Sequence, residues 1–179
     1  MSRPVPPKSA KLIIGLFTNH TRLVQPVFER LQNRFGPIDI ISRRFSFNWT
    51  DYYESEMGAG LCRRMTAFGP HINQADLPDI KLYTNSIETE YTAAGKRQIN
   101  IDPGYLLAER FILATGKNYT HRIYLGKNIY ADLTLIYQHG RFHPLPWTYP
   151  DYTAADMLGF LERARKKYIN DFKQSGFTP

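Results

Sequence analysis

Cysteine is almost missing from this chain. Its 179 residues hold one, Cys62, which excludes an intramolecular disulfide and fits a reducing compartment such as the cytoplasm. Long apolar runs are missing too: none approaches the ~20 residues of a membrane-spanning helix, so no membrane partner is expected. Residues 1–8, MSRPVPPK, carry too many prolines and too short an apolar run for a signal peptide. We read residues 1–10 as a disordered lead-in to a single domain at 11–179.

The usual chemical signatures are absent as well. There is no cysteine pair and no HExxH, and His139 and His143, four apart on an expected strand, are too distant to share an ion, so no metal site is assigned. No serine occupies a Gly-x-Ser-x-Gly elbow. The Gly-Lys pairs at 95, 116 and 126 lack the upstream glycine and following Ser or Thr of a phosphate-binding loop. No cofactor or reaction follows from motifs alone.

Acidic residues are in deficit, 16 against 23 Lys and Arg, and the net charge of +7 biases the surface toward anionic partners. Aromatics, by contrast, are abundant at 14% with twelve tyrosines, which suits both β-sheet and half-wet binding surfaces.

Hydrophobic patterning gives the fold class. Residues 11–18 form a continuous apolar run expected of a strand buried on both faces. Leu23, Val24, Val27, Phe28, Leu31 and Phe35 recur at helical spacing before Gly36-Pro37. A strand is expected over 38–47, with Ile41, Arg43, Phe45 and Phe47 on one face, and a third over 61–68, ending at Gly69-Pro70. Asp76 is the expected N-cap of a helix carrying Ile80, Tyr83, Ile87 and Tyr91 inward, and 96–101 is a fourth strand. The resulting α+β order is βαββαβ, that of a ferredoxin-like unit.

Asp102-Pro103-Gly104-Tyr105 reads as a turn or a helix start, and 106–114 fits helix or strand equally. An antiparallel β-meander follows, with strands at 122–125, 129–137 and 141–145. The first hairpin keeps its alternation only with an odd loop, which sets Arg122 opposite Asp132 and Tyr124 opposite Tyr130. A C-terminal helix closes the chain. Thr153 is its expected cap, Asp156 completes a short capping box, and Met157, Phe160, Leu161, Ala164 and Tyr168 line one face.

Two aromatic-acidic stretches stand out. Residues 45–58 hold five aromatics and three acids, including Asp51, Tyr52, Tyr53 and Glu56. Residues 147–152 echo them with Trp147, Tyr149 and Asp151. Both place a Trp-Thr pair ahead of an Asp flanked by tyrosine. They are expected to meet over one end of the sheet, joined by Asp102, Tyr105, Arg122, Tyr124 and Asp132 as candidate ligand-binding residues. General acid–base chemistry needs converging carboxylates with a pKa shifted by their surroundings. The plainer alternative is that Asp51 and Asp151 cap the segments that follow them. The pairs Arg43-Arg44 and Arg63-Arg64, on neighbouring strands, are candidates for holding phosphate or for plain surface charge. The strands that would carry stacking aromatics in an RNA-binding sheet lack the consensus for it. The basic residues 163–173 read as a solvated helix face.

The motifs Phe47-x-x-Thr50-Asp51-Tyr52-Tyr53-Glu54-x-Glu56-Met57-Gly58, Asn100-Ile101-Asp102-Pro103-Gly104-Tyr105, His121-Arg122-Ile123-Tyr124-Leu125-Gly126 and Pro144-Leu145-Pro146-Trp147-Thr148-Tyr149-Pro150-Asp151-Tyr152 resemble a prokaryotic domain-of-unknown-function family. The resemblance spans nearly the whole chain. It implies a bacterial or archaeal cytoplasmic protein, assigns no catalytic residue, and includes relatives labelled as GTP-binding proteins. Together these readings lead us to expect a Tyr, Trp and Asp-lined site for an anionic, phosphate-bearing small molecule or nucleotide. The alternatives are a protein-interaction module built on the aromatic turns, or salt-sensitive nucleic-acid binding through basic faces.

Overall fold

The apolar run near the N-terminus is the centre of the sheet. We describe a computed structural model covering residues 3–47, 50 and 52–174. In chain order the elements are β1 (Ala10–Thr18), α1 (Val24–Phe35), β2 (Ile38–Ile41), β3 (Phe45–Ser46), α2 (Glu54–Met57), β4 (Cys62–Ile72) and α3 (Leu77–Glu90). A small hairpin of β5 (Thr92–Ala93) and β6 (Lys96–Arg97) precedes β7 (Asn100–Leu106), β8 (Arg110–Thr115), β9 (Arg122–Gly126), β10 (Ile129–Gln138), β11 (Arg141–Pro144) and α4 (Ala155–Gln174).

The main sheet runs β11-β10-β8-β7-β1-β4-β2, with β3 on β4 and β9 on β10. The fold is α+β. β4 lies between β1 and β2, and β1 lies between β4 and β7, so both βαβ units are split by an inserted strand. β1 is buried at all nine positions because both of its faces are covered. Leu12, Ile14 and Leu16 pack with Val27, Phe28 and Leu31 of α1 and Ile80 and Ile87 of α3. Ile13 faces the other way, in a core with Phe160, Leu161, Ala164 and Tyr168 of α4. All five expected inward residues of α4 are buried. Among the described residues no helix is long and apolar enough to cross a membrane.

Several local expectations are corrected. The Asp102-Pro103-Gly104-Tyr105 segment is neither turn nor helix start but the middle of β7. Gly104 is there because a Cβ would come within 2.3 Å of the Ile112 carbonyl oxygen on β8. Pairing with β8 begins only after Pro103, so the missing N–H is tolerated. Of the ambiguous stretch 106–114, Leu106 ends β7, 107–109 turn the chain, and the rest is strand, in β8. β4 runs past Gly69-Pro70 to Ile72. Its register against β1 jumps from Ala67 to His71, leaving 68–70 without β1 partners.

The strand expected over 38–47 is two strands, because Ser42 breaks it and shifts the alternation: Arg43 and Arg44 are both exposed, while Phe47 is buried. Asp76 does not cap α3. The cap sits one turn earlier, where the Asn73 side chain accepts from the Ala75 N–H at the start of a 3-10 turn. Thr153 does not cap α4 either, since its hydroxyl donates to the Pro150 carbonyl. Asp156 instead pairs with Arg43. Arg122 lies opposite Asp132 and Tyr124 opposite Tyr130 as expected, but not through an odd loop: Gly126 pairs with Ile129 across a two-residue turn, and a register shift between Ile129 and Tyr130 sets the later pairs.

Candidate functional site

One end of the sheet is hollow. There β1 ends at Thr18 opposite Cys62, and Phe17 faces Asn100 at the start of β7. Thr50, Tyr52 and Tyr53 and the segments around 116–119 and 149–152 close over this end and leave a cavity of about 600 Å³. The two aromatic-acidic stretches therefore meet, as their matching composition suggested.

Arg63 forms part of its wall. The residue is 4% exposed, and its guanidinium is packed between Phe47, Phe17 and Tyr152, with ring centroids at 4.6, 5.1 and 5.1 Å. It donates to Asp151, and Asp102 lies at 3.7 Å. Burial opposes the Arg63 charge, but Tyr152, Asp151 and Asp102 outweigh it and hold its pKa above the ordinary value. Burial lifts the Asp151 carboxyl; Arg63 pulls it back, Asp102 adds repulsion, and the net direction is upward. The Tyr152 hydroxyl, fully enclosed, is pushed well above the ordinary phenol.

A second group comes from α3 and the strand it packs on. Lys81 and Glu88 are seven residues apart, two helical turns, and so share a face. The Lys81 ammonium donates to the Ile101 carbonyl at 2.9 Å, and the Ile101 N–H donates to Glu88. Both side chains are buried, and burial raises the Glu88 carboxyl despite Lys81. Arg97 grips Glu56 with two 2.8 Å bonds and donates to the Asn100 side-chain amide oxygen at 2.8 Å. Glu56 is held low by that grip.

The third group belongs to the meander. Arg122 donates to Asp132 at 2.8 Å and to the Lys117 carbonyl at 3.0 Å, beneath the Tyr119 ring at 4.3 Å. Lys117 reaches over the Tyr52 ring at 4.8 Å. Tyr52 is 65% exposed and Tyr149 49%, so both stand at the rim.

Comparison with known proteins adds one finding at this point. A family model described as "Domain of unknown function (DUF4416)" matches residues 8–168. The chain belongs to this family. No curated protein and no solved structure gives a significant match. The match takes in every element that builds the cavity in this family member.

Of the twelve residues singled out from sequence, seven line the cavity: Tyr52, Tyr53, Asp102, Arg122, Asp132, Tyr149 and Asp151. Glu56 acts one layer out, through Arg97. Three lie elsewhere. Tyr105 is buried in the core against the meander. Tyr124 is exposed on edge strand β9, against Tyr130. Trp147 stacks on His121 at 5.0 Å and donates to the Leu133 carbonyl, pinning its loop. Asp51 lies outside the described residues.

Sequence reasoning missed Lys81, Glu88, Arg97, Asn100, Lys117 and Tyr119 as site residues. For two of these a signal exists. The buried stripe of α3 is Leu77, Ile80, Lys81, Thr84, Ile87 and Glu88, so two charges sit in phase with the apolar positions, which is uncommon unless they have partners.

Proposed function

We propose that this cavity binds an anionic, phosphate-bearing small molecule, with a nucleotide as the form that would also use its tyrosines. The observation that carries this reading is a surplus of buried donors. Arg63 Nε, the Asn100 amide nitrogen and the Tyr152 hydroxyl are buried and have no hydrogen-bond partner among the described residues. All three residues line the same cavity. A buried donor left unpaired costs about 1–3 kcal/mol, and three in the walls of one hollow favour an acceptor-rich occupant that small side-chain shifts would bring within their reach. A phosphate group brings several strong acceptor oxygens, and Lys81, Lys117 and Arg122 supply cationic surroundings. The exposed Tyr52 and Tyr149 rings offer flat surfaces at the mouth, suited to stacking a base.

A docking module would need its aromatic turns arranged as a flat patch; Tyr52, Tyr53 and Tyr149 instead surround a hollow. Binding of a nucleic acid at this cavity is disfavoured, because its cations alternate with Glu88, Asp102, Asp132 and Asp151.

The test is a thermal-shift panel of nucleotides and sugar phosphates on the wild type and on Tyr152→Phe. A ligand at about a hundred times its Kd adds roughly 2.7 kcal/mol, and each kcal/mol raises the Tm of a chain this size by about 2–4 °C. Tyr152→Phe should keep the unliganded Tm and lose much of the shift, because the hydroxyl has no partner to lose. A flat panel, or an undiminished shift in the variant, would overturn the reading.

A further inference from the structure

The first half of β7 has a strand on one side only. Residues 100–103 pair with β1, whereas pairing with β8 begins at Gly104. The sheet is open there, and the cavity runs along the opening, with Asn100 and Asp102 on one side and 113–116 on the other. Asn100 and Asp102 are two apart on the strand, so they point to the same face with Cα atoms about 6.6 Å apart.

Asn100 is a donor held in place. Its side-chain oxygen accepts from Arg97 at 2.8 Å. A guanidinium has donors only, so the amide nitrogen is turned away from it. Arg97 is fixed in turn by its two bonds to Glu56. The nitrogen belongs to a residue 5% exposed and has no acceptor among the described residues.

Asp102 is the converse. Its side chain is 27% exposed and lines the cavity. The carboxylate makes no hydrogen bond among the described residues: Arg63, at 3.7 Å, is beyond hydrogen-bonding distance and donates to Asp151 instead. A carboxylate in this place repels a phosphate, so a ligand that tolerates it must bring donors as well as acceptors. A hydroxyl is both at once, and carboxylates hold ribose hydroxyls in this way in dinucleotide-binding folds.

We propose that Asn100 and Asp102 read a vicinal pair of hydroxyls on a sugar, so that the cavity takes a ribose phosphate in preference to its 2-deoxy counterpart. This rests on the phosphate reading of the cavity and adds the sugar to it.

The test is a calorimetric titration of the full chain with ribose 5-phosphate, 2-deoxyribose 5-phosphate and inorganic phosphate. The ribose compound should bind roughly ten-fold more tightly than the deoxy compound, the effect of one hydrogen bond to a charged group. In Asp102→Asn that ratio should fall towards one, while inorganic phosphate binds as tightly or more tightly, because a repelling charge is gone. A wild-type ratio near one would overturn the sugar preference and leave the phosphate reading standing. A ratio preserved in Asp102→Asn would remove Asp102 from the recognition. Should the variant not fold, the wild-type ratio tests the preference by itself. No binding of any of the three would overturn the phosphate reading and this inference with it.

Discussion

Arg122 donates to Asp132 at 2.8 Å across the β9–β10 hairpin with both side chains buried, while Ile123 beside them is 69% exposed. The hairpin is turned inside out at this point: its polar pair faces inward and its aliphatic residue faces water. Removing one member of a buried pair leaves the other charge uncompensated. Arg122→Ala or Asp132→Ala should each cost about 3–5 kcal/mol in urea unfolding. Arg122→Met combined with Asp132→Leu should recover most of that loss. A double variant no more stable than the worse single one would contradict this account.

Two glycines should answer oppositely to the same change. A methyl at Gly104 would meet the Ile112 carbonyl oxygen at 2.3 Å, inside the sheet where neither strand can yield. Gly104→Ala should therefore lose about 1–3 kcal/mol or more. Gly159 lies within α4, and its nearest obstacle is the Arg163 side chain at 3.8 Å. Gly159→Ala should gain about 0.5–1 kcal/mol from helix propensity. Thermal melts of the two variants beside the wild type decide both.

Glu88 makes stability depend on pH in a defined direction. Burial raises its carboxyl above the ordinary value of 4.5 in the folded protein. Below that value the group is neutral in both states and costs nothing. As pH climbs from there through the raised folded pKa, the folded state holds a proton that the unfolded chain has released, and stability falls. Glu88→Gln keeps an oxygen for the Ile101 N–H and does not titrate. Its stability relative to wild type should rise as pH climbs above the ordinary carboxyl value of 4.5. A difference independent of pH would contradict the assignment.

Much of this was legible in residue order, and the reasons differ by element. The unbroken apolar run of β1 and the period of α4 could be read because burial on two faces, or on one stripe, leaves a simple pattern. The Arg122–Asp132 pairing was read correctly from alternation, although the odd count comes from a register shift after Ile129 and not from the loop. β7 was misread because Asp-Pro-Gly is turn chemistry in isolation; here the approach of β8 demands the glycine, and that demand comes from a strand later in the chain. The two aromatic-acidic stretches carried their likeness in composition, so their meeting was foreseeable. Arg97 and Asn100 were not, because their importance comes from Glu56, 41 residues before Arg97, and from α3. The charged residues of α3 were visible in the apolar stripe, had they been counted as misfits.

The central place of β1 carries a consequence for synthesis. Residues 12–17, among the most apolar of the chain, leave the ribosome before either neighbour. Residues 62–67 on one side and 100–106 on the other must be made before the strand is flanked. Contacts so distant along the chain slow folding, and a half-made polypeptide displays a sticky, unpaired segment throughout that wait. Production of this protein should therefore depend on how well the cell shields nascent chains, and a stalled or truncated product ending before residue 100 should aggregate.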